Sequence, residues 1–413
     1  MITAKRSQIA AHNATNARTN CEAQGSADAR RLAQLPADAT FGGFARPAID
    51  QKRHCRDVPA TESPEGPFHM KLIWHADNLL EVDWVRDILS DVVEEECTDL
   101  DLTCYDDDCI HVVSSNWQPL PAYEDYFHEC RARCRRLVLL HTSDEWFSGG
   151  YALYRHFDAV IRNFATGLTQ HEGIWTIPEG YSNGTRTGQA VRPITERPYV
   201  WSFTGEIKAS RADMADAFAG LQPNFMTSTA SIYAGGGKKL SKPEFDSVLD
   251  NTIFSPCPMG NAILETWRLY ESLELGCIPI VETRASLDYF TYLFGPHPIP
   301  SFRSWRAARC YAERALADKS SLREKQLQVL SWWTDKKRDV RNQVRRAVTG
   351  PSHHTALRAF GALARNRYPL LHEPLRLMEL LRHQSSSSLM RRMKRPGGPL
   401  RRIARESLRS LRT

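Results

Sequence analysis

Several patterns that assign a chain to a common class are missing from these 413 residues. No apolar run approaches the roughly 20 residues that a membrane-spanning helix requires, and the amino-terminal residues lack the apolar core of a secretory signal. None of the ten cysteines belongs to a Cys-x-x-Cys pair, which argues against a structural zinc site. From these absences we expect no membrane anchor, signal peptide or zinc module, and the compartment stays open.

Basic residues are in surplus only near the carboxyl terminus. The formal net charge is +6, but residues 385–413 hold nine Arg or Lys and one acidic residue, Glu406. That tail carries +8 and the remainder −2, so a nucleic-acid-binding fold is not expected. Four apolar residues between Leu400 and Leu411 share one helical face of the tail. The tail is therefore either a segment that contacts an anionic membrane surface or a disordered, solubilising appendage.

The cysteines allow two interpretations. Those between Cys97 and Cys134 could form disulfides in an oxidising compartment, or they could be ordinary free thiols, which we favour. Cys277 lies in an apolar strand pattern and is interpreted as a small core residue.

Apolar periodicity divides the chain into a leader, two α/β units and two carboxyl-terminal segments. Residues 1–67 lack this periodicity and are predicted to be a disordered leader. The units are predicted at 68–197 and 198–350, followed by a helical extension at 351–384 and the basic tail at 385–413.

Within both units, short apolar runs alternate with helical patterns. In the first unit we predict strands at 70–74, 110–113, 137–140, 159–162 and 173–177, with helices ending at Val93 and over 122–136. In the second we predict strands at 199–205, 224–226, 252–255 and 277–281, with helices over 211–219, 241–249, 261–275 and within 305–348. This order predicts two Rossmann-like, doubly wound parallel sheets that face each other across a cleft.

Polar residues follow the predicted strands of the first unit, where ligands of open α/β sheets bind. They are His75, Asp77, Ser114, Ser115, Asn116, His141, Thr142, Asp144, Glu145, Asn163 and Glu179. This pattern is typical of one wall of an active site, although loops are polar in any protein.

The second unit has a connection rich in small residues, Pro and Gly from Ser255 to Asn261. A helix that begins after it would offer free backbone N–H groups to a diphosphate, and Arg268 would add a charge-assisted contact. A carboxylate on that helix could accept hydrogen bonds from a ribose, with Glu265, Glu271 and Glu274 as candidates. The alternative is an ordinary amphipathic helix with solvated charges and Gly276 as its C-cap.

The block from Thr266 to Val281 resembles the exostosin family of glycosyltransferases. In that family a Ser/Thr, an aromatic residue, Arg and Glu precede a small residue, Cys-Ile/Val-Pro and an apolar strand. Phe254-Ser255-Pro256-Cys257-Pro258 is similar to the family's Phe-x-Leu-x-Pro-x-Gly segment, with the glycine displaced to Gly260. Trp201-Ser202-Phe203-Thr204-Gly205 followed by Ser210-Arg211 is similar to the family's Phe-x-Gly strand and helix-opening Arg. The segment from Leu139 to Trp146 resembles relatives near the ribitol xylosyltransferase, and the resemblance covers residues 70–335.

The resemblance implies a GT-B fold and an inverting sugar transfer from a nucleoside diphosphate sugar, by family default UDP-linked, to a glycan or polyol. Glu271 would bind the donor ribose, Arg268 and Arg211 would neutralise the diphosphate, and Thr266 with the backbone near Gly260 would complete the cradle. Gly205 and Ser255 belong to the same donor set. No essential metal is implied, and the acidic run Asp106-Asp107-Asp108 is interpreted as a solvated loop. The resemblance implies an endomembrane location, whereas the missing anchor leaves the cytoplasm open.

An inverting transfer also needs a base that deprotonates the acceptor hydroxyl. Asp144 and Glu145 are the first candidates because they follow a strand of the first unit, and Asp77 and His75 come next. The competing hypothesis is a catalytically inactive, exostosin-like protein that binds a glycan or partners an active enzyme. Arg268 and Glu271 favour the active form, because an inactive copy has no need of them.

Overall fold

The structure, a computed structural model, describes residues 70–76, 79–98, 108–115, 120–229, 240–285 and 287–384, without the side chains of 366–373. The predicted leader, the basic tail, Asp77 and Asn116 lie outside these described ranges. No helix in the described ranges has the length and apolarity that crossing a bilayer requires.

The first sheet consists of six parallel strands. They are β1 (Met70–Trp74), β2 (Val93–Cys97), β3 (Cys109–Ser114), β4 (Leu137–Thr142), β5 (Ala159–Arg162) and β6 (Ile174–Thr176), in the spatial order β2-β1-β3-β4-β5-β6. Helices α1 (Val82–Leu89) and α2 (Glu124–Arg133) and the short 3-10 helices Leu120–Tyr123, Tyr151–His156 and Gly167–Thr169 connect them. Every residue of β3, β4 and β5 is buried, which accounts for their continuous apolar patterns.

The edge strand β2 was not predicted. The helical pattern that was expected to run through Val93 ends at Leu89, and Val93 begins the strand Val-Glu-Glu-Glu-Cys. Its three glutamates are exposed, so the strand has neither an apolar run nor alternation. Charged residues are common on edge strands because they discourage further pairing.

The second sheet has five parallel strands. They are β7 (Tyr199–Gly205), β8 (Asn224–Ser228), β9 (Thr252–Cys257), β10 (Ile278–Glu282) and β11 (Ser301–Phe302), in the order β11-β10-β9-β7-β8. The connecting helices are α3 (Ser210–Phe218), α4 (Lys242–Asp250), α5 (Trp267–Glu274), α6 (Tyr289–Phe294) and α7 (Trp305–Leu316), and a 3-10 turn at Ile194–Glu196 precedes the sheet. Ser241 and Glu244 form the predicted capping box at the start of α4. The predicted pair of parallel α/β units is confirmed.

Two long helices join the units. In α8 (Lys319–Thr349), Gln326 donates to the Gly276 carbonyl at 2.8 Å, and Arg341 pairs with Asp87 of the first unit. In α9 (His354–Arg382), Phe360 packs on Tyr154 of the first unit. The predicted helices at 305–348 and 351–384 therefore exist, and they hold the two sheets in one arrangement. The exact division at residue 197 stays a prediction.

The described cysteines are all free thiols, namely Cys97, Cys109, Cys130, Cys134, Cys257, Cys277 and Cys310. This agrees with the interpretation favoured for the Cys97–Cys134 stretch, apart from Cys104, which lies outside the described residues. Cys277 is buried in the core as predicted. Asp108 corrects another expectation, because it is buried and pairs with Arg135 at 2.6 Å instead of lying in a solvated loop.

Candidate active site between the two sheets

A cavity of about 230 Å³ lies where the carboxyl ends of the strands of both sheets meet. The first unit contributes Ser143, Glu145, Phe164 and Glu179, and the second contributes residues of the loops after β7 and β9 and of helices α3 and α5. Seven of the ten predicted site residues line it, namely Glu145, Gly205, Arg211, Gly260, Thr266, Arg268 and Glu271. Asp144 and Ser255 do not line it, and Asp77 is outside the described residues.

Two arginines give the cavity a positive wall. The Arg268 guanidinium stacks 4.1 Å from the centre of the Phe203 ring and donates to the Thr204 carbonyl. Arg211 donates to the carbonyls of Met259 and Glu206, both at 3.2 Å. Burial and then the charge of Arg268 lower the pKa of Arg211 to about 10, and burial also lowers the pKa of Arg268. Neither forms an ion pair within the described ranges, so their charge is available to an anion.

The loop after β9 is longer than predicted. Helix α5 begins at Trp267 instead of near Asn261, with Thr266 in extended backbone as its N-cap. Ala262 and Ile263 pack against Phe147 and Phe164 of the first unit. These contacts hold an irregular loop where the first turns of the helix were predicted. At Gly260 a Cβ would lie 2.7 Å from the Glu265 carbonyl oxygen, so the turn requires glycine there.

Glu145 reaches across the cavity to this loop. One carboxylate oxygen accepts from the backbone N–H groups of Asn261 and Ala262, both at 2.7 Å, and the other accepts from the Asn261 side-chain amide at 3.3 Å. The backbone N–H groups that were predicted to hold a diphosphate therefore donate to a protein carboxylate.

Asp144 has a different environment although it is the neighbouring residue. Its oxygens accept from the Ser148 amide and hydroxyl, from Tyr151 at 3.0 Å and from Arg162 at 3.2 Å. The side chains of Asp144 and Arg162 have no exposed area. This geometry favours a structural role for Asp144 over the predicted role of base.

We expect Asp144→Ala to lower the free energy of unfolding by about 3–5 kcal/mol, because it leaves the Arg162 charge buried without its partner. Denaturant unfolding would measure the loss. Ser148→Ala, which removes one hydroxyl from the same network, serves as the milder control at about 1 kcal/mol. Wild-type stability combined with lost activity in Asp144→Ala would instead support the role of base.

Glu179 is the site residue that the sequence named only as a polar strand end. It follows β6, and Gly180 after it has φ +79°, where a Cβ would overlap the Trp84 indole. The Glu179 side chain lines the cavity, and its Oε2 atom is buried and has no hydrogen-bond partner among the described residues. Burial and then the nearby Glu265 and other carboxylates hold its pKa well above the ordinary range. A carboxyl group of this kind binds a proton readily and faces the space that a ligand would occupy.

The three candidate ribose ligands have separate roles. Glu274 accepts from Trp333 and Lys337 of α8, both at 2.7 Å, and so serves helix packing. Glu265 also lines the cavity, but its oxygens accept from the Tyr270 and Tyr289 hydroxyls and from the Glu179 amide. Glu271 lines the cavity and pairs with Lys242 at 2.9 Å. It is the candidate that fits a ribose contact.

Two further polar atoms of the cavity lining are buried. The Thr204 hydroxyl and the Trp267 indole N–H have no hydrogen-bond partner within the described part of the chain. Ser255 lies beneath the cavity, where it accepts from Ser272 at 2.6 Å, and it supports the packing of β9 against α5. His75, the second-choice base, contacts His111 and the Tyr123 ring away from the cavity lining, and burial lowers its pKa to about 3.

Within the described ranges, no group of three or more His, Cys, Asp or Glu residues is arranged to hold a metal ion.

Together, the fold and the cavity define an α/β protein with two parallel sheets and, between them, a cleft lined by two arginines. No family model matches the chain, and no curated protein matches it. Solved structures with a similar chain course include an α1,3-fucosyltransferase (13% identity, TM-score 0.43, 71% of this chain and 94% of that chain). A second is the Anabaena HepE protein with UDP and glucose (11% identity, TM-score 0.42, 68% of this chain and 99% of that chain). A third is T4 phage β-glucosyltransferase (12% identity, TM-score 0.41, 68% of this chain and 99% of that chain). At these values the likeness concerns the course of the chain, and the activity has to be inferred from the cleft itself.

Proposed function

We propose that this protein is a glycosyltransferase that uses a nucleoside diphosphate sugar. The observation that carries the proposal is that Arg211 and Arg268, which form no ion pair among the described residues, share one cleft with the carboxylate of Glu271. Two such cations suit a diphosphate, and a nearby carboxylate suits the ribose hydroxyls. The resemblance to the exostosin family adds UDP as the donor nucleotide and an inverting outcome.

The donor is assigned to the second unit. Arg211 and Arg268 would contact the diphosphate, and Thr266 and the loop at Gly260 would surround it. The indole of Trp267 and the hydroxyl of Thr204 offer further donors, because neither has a hydrogen-bond partner among the residues that the structure describes. The acceptor, a glycan or polyol, is assigned to the first unit, whose strand ends supply the opposite wall.

The transfer needs one proton acceptor and one stabilised leaving group. We assign the proton acceptor to Glu179, which faces the cleft with an unpaired oxygen. The acceptor hydroxyl would lose its proton to Glu179 while its oxygen bonds to the anomeric carbon, and the bond from that carbon to the diphosphate would break. Arg211 and Arg268 would then neutralise the charge that develops on the departing diphosphate.

Glu271→Ala is expected to weaken UDP binding by about 1–3 kcal/mol, because a hydrogen bond to a charged group is lost. Isothermal titration with UDP would measure the change. Glu274→Ala is a matched control on the same helix, since Glu274 contacts α8 and not the cavity. Equal UDP affinities for wild type and Glu271→Ala would contradict the ribose assignment.

The function itself is tested by a ligand screen followed by a turnover assay. Thermal unfolding would be measured with nucleoside diphosphates and their sugars, and stabilising donors would then be incubated with glycan and polyol acceptors. Release of free nucleoside diphosphate that depends on an acceptor is the expected result. Binding without such release would favour the inactive, glycan-binding alternative, and the absence of stabilisation by every nucleotide would contradict the proposal.

A further inference from the structure

The contact between Glu145 and the loop at Asn261 has the geometry of an anion site. Two consecutive backbone N–H groups, of Asn261 and Ala262, converge on one carboxylate oxygen at 2.7 Å, and a side-chain amide meets the other oxygen. Successive N–H groups that point to one spot form a concave site for anions such as phosphate. The loop is therefore built to hold a negatively charged group, and the Glu145 carboxylate occupies that position in the structure.

The carboxylate comes from the opposite unit on a firmly held segment. Asp144, directly before it, is fixed by Ser148, Tyr151 and Arg162. Two nearby non-glycine residues have left-handed backbone, Ser143 with φ 60° and Phe147 with φ 50°. Such conformations cost free energy and persist where the surrounding structure imposes them. The backbone thus presents Glu145 to the loop, and release of the contact requires movement of the Glu145 side chain alone.

We infer that the Glu145 carboxylate occupies the binding position of the donor diphosphate and that a bound donor displaces it. This inference rests on the proposed function and assigns the backbone N–H groups of Asn261 and Ala262 to the donor diphosphate. A diphosphate next to Arg211 would bring two like charges together if Glu145 stayed in place. The Glu145 carboxylate therefore moves away from the Asn261 and Ala262 N–H groups when the donor binds. This movement also breaks the contact that Glu145 forms between the two units.

Because the donor has to displace Glu145, its observed affinity is weaker than its intrinsic affinity for the backbone N–H groups of Asn261 and Ala262. The hydrogen bonds of Glu145 must break before the diphosphate can form its own. The apparent Kd is therefore the intrinsic Kd divided by the fraction of molecules in which Glu145 has left the loop. Removal of the carboxylate should remove this competition.

The test is a titration of wild type and Glu145→Ala with two probes, UDP and inorganic pyrophosphate. We expect Glu145→Ala to bind both with a Kd about tenfold lower or more, because charge-assisted hydrogen bonds no longer compete. Glu206→Ala is the matched control, since Glu206 lines the same cavity but pairs with Lys208 at 2.7 Å and leaves the loop untouched. A general electrostatic effect would tighten both variants equally, and that result would overturn the inference.

Further outcomes separate this inference from the proposed function. UDP binding by wild type with equal or weaker binding by Glu145→Ala would overturn the displacement of Glu145 and leave the proposed function intact. Absence of binding by both proteins would overturn both. Glu145→Gln, which keeps the size and one acceptor oxygen but removes the charge, is expected to show intermediate tightening, and it decides the matter should the alanine variant unfold in thermal melts.

Discussion

Arg268→Ala is expected to lower kcat/KM for the nucleotide-sugar donor by a factor of about 30 to 5,000. The Arg268 guanidinium is stacked on Phe203 and lines the cavity, and it pairs with no carboxylate in the described ranges. Truncating one member of a buried, hydrogen-bonded charge pair costs about 2–5 kcal/mol, and each 1.36 kcal/mol corresponds to a factor of ten in rate. Steady-state release of the nucleoside diphosphate would measure the loss.

Two variants make this result specific. Arg268→Lys keeps the charge but loses the planar donor fork, so an intermediate kcat/KM is expected. Arg309→Ala removes an arginine that pairs with Glu313 on α7, outside the cavity lining, and should leave kcat/KM unchanged. Wild-type kcat/KM in Arg268→Ala would contradict the assignment of this residue to the diphosphate.

Glu179→Gln is expected to reduce the transfer rate by a factor of about 10²–10⁴, the usual contribution of general base catalysis, while UDP binding persists. The variant should also be more stable than wild type at neutral pH. The pKa of Glu179 is raised in the folded protein, so the wild type loses stability as pH rises from the ordinary carboxyl pKa to the raised value. Glutamine does not ionise, and the stability difference should therefore grow with pH across that window.

The pH profile separates a base from a residue that only packs. The wild-type rate should rise with pH until Glu179 is ionised, because only the carboxylate can accept the acceptor's proton. The residual activity of Glu179→Gln should not show this rise of the rate with pH. Glu206→Gln is the control, since it removes a different cavity carboxylate. If the rate of Glu179→Gln rises with pH as the wild-type rate does, the proton acceptor is another group, with Glu145 and Asp77 as the remaining candidates.

Strands with continuous apolar runs could be predicted from sequence alone. Ala159–Arg162 and Tyr199–Gly205 have the predicted bounds because strands buried in a parallel sheet consist mainly of apolar residues. The strand Val93–Cys97 lacks such an apolar run, since it is an edge strand with exposed glutamates. The start of α5 was misplaced for a related reason. Ala262 and Ile263 are compatible with a helix, and contacts with Phe147 and Phe164 of the other unit decide against one.

Most of the cavity lining could also be predicted, whereas the roles of its carboxylates could not. Asp144 and Glu145 are adjacent and equally polar, yet one faces Arg162 and the other faces the loop at Asn261. That difference depends on residues 18 and 116 positions away. Glu179 stands out only through an unpaired oxygen and neighbouring carboxylates, which are properties of the folded chain.

The central claim is that the cleft binds a nucleoside diphosphate through Arg211 and Arg268. The most direct measurement is calorimetric titration of the wild-type chain with UDP and with UMP under identical conditions. Because the second phosphate would contact the arginine pair, we predict saturable binding of one UDP per chain with a Kd at least about tenfold lower than that of UMP. Equal affinities for UDP and UMP, or no saturable binding of UDP, would contradict the claim.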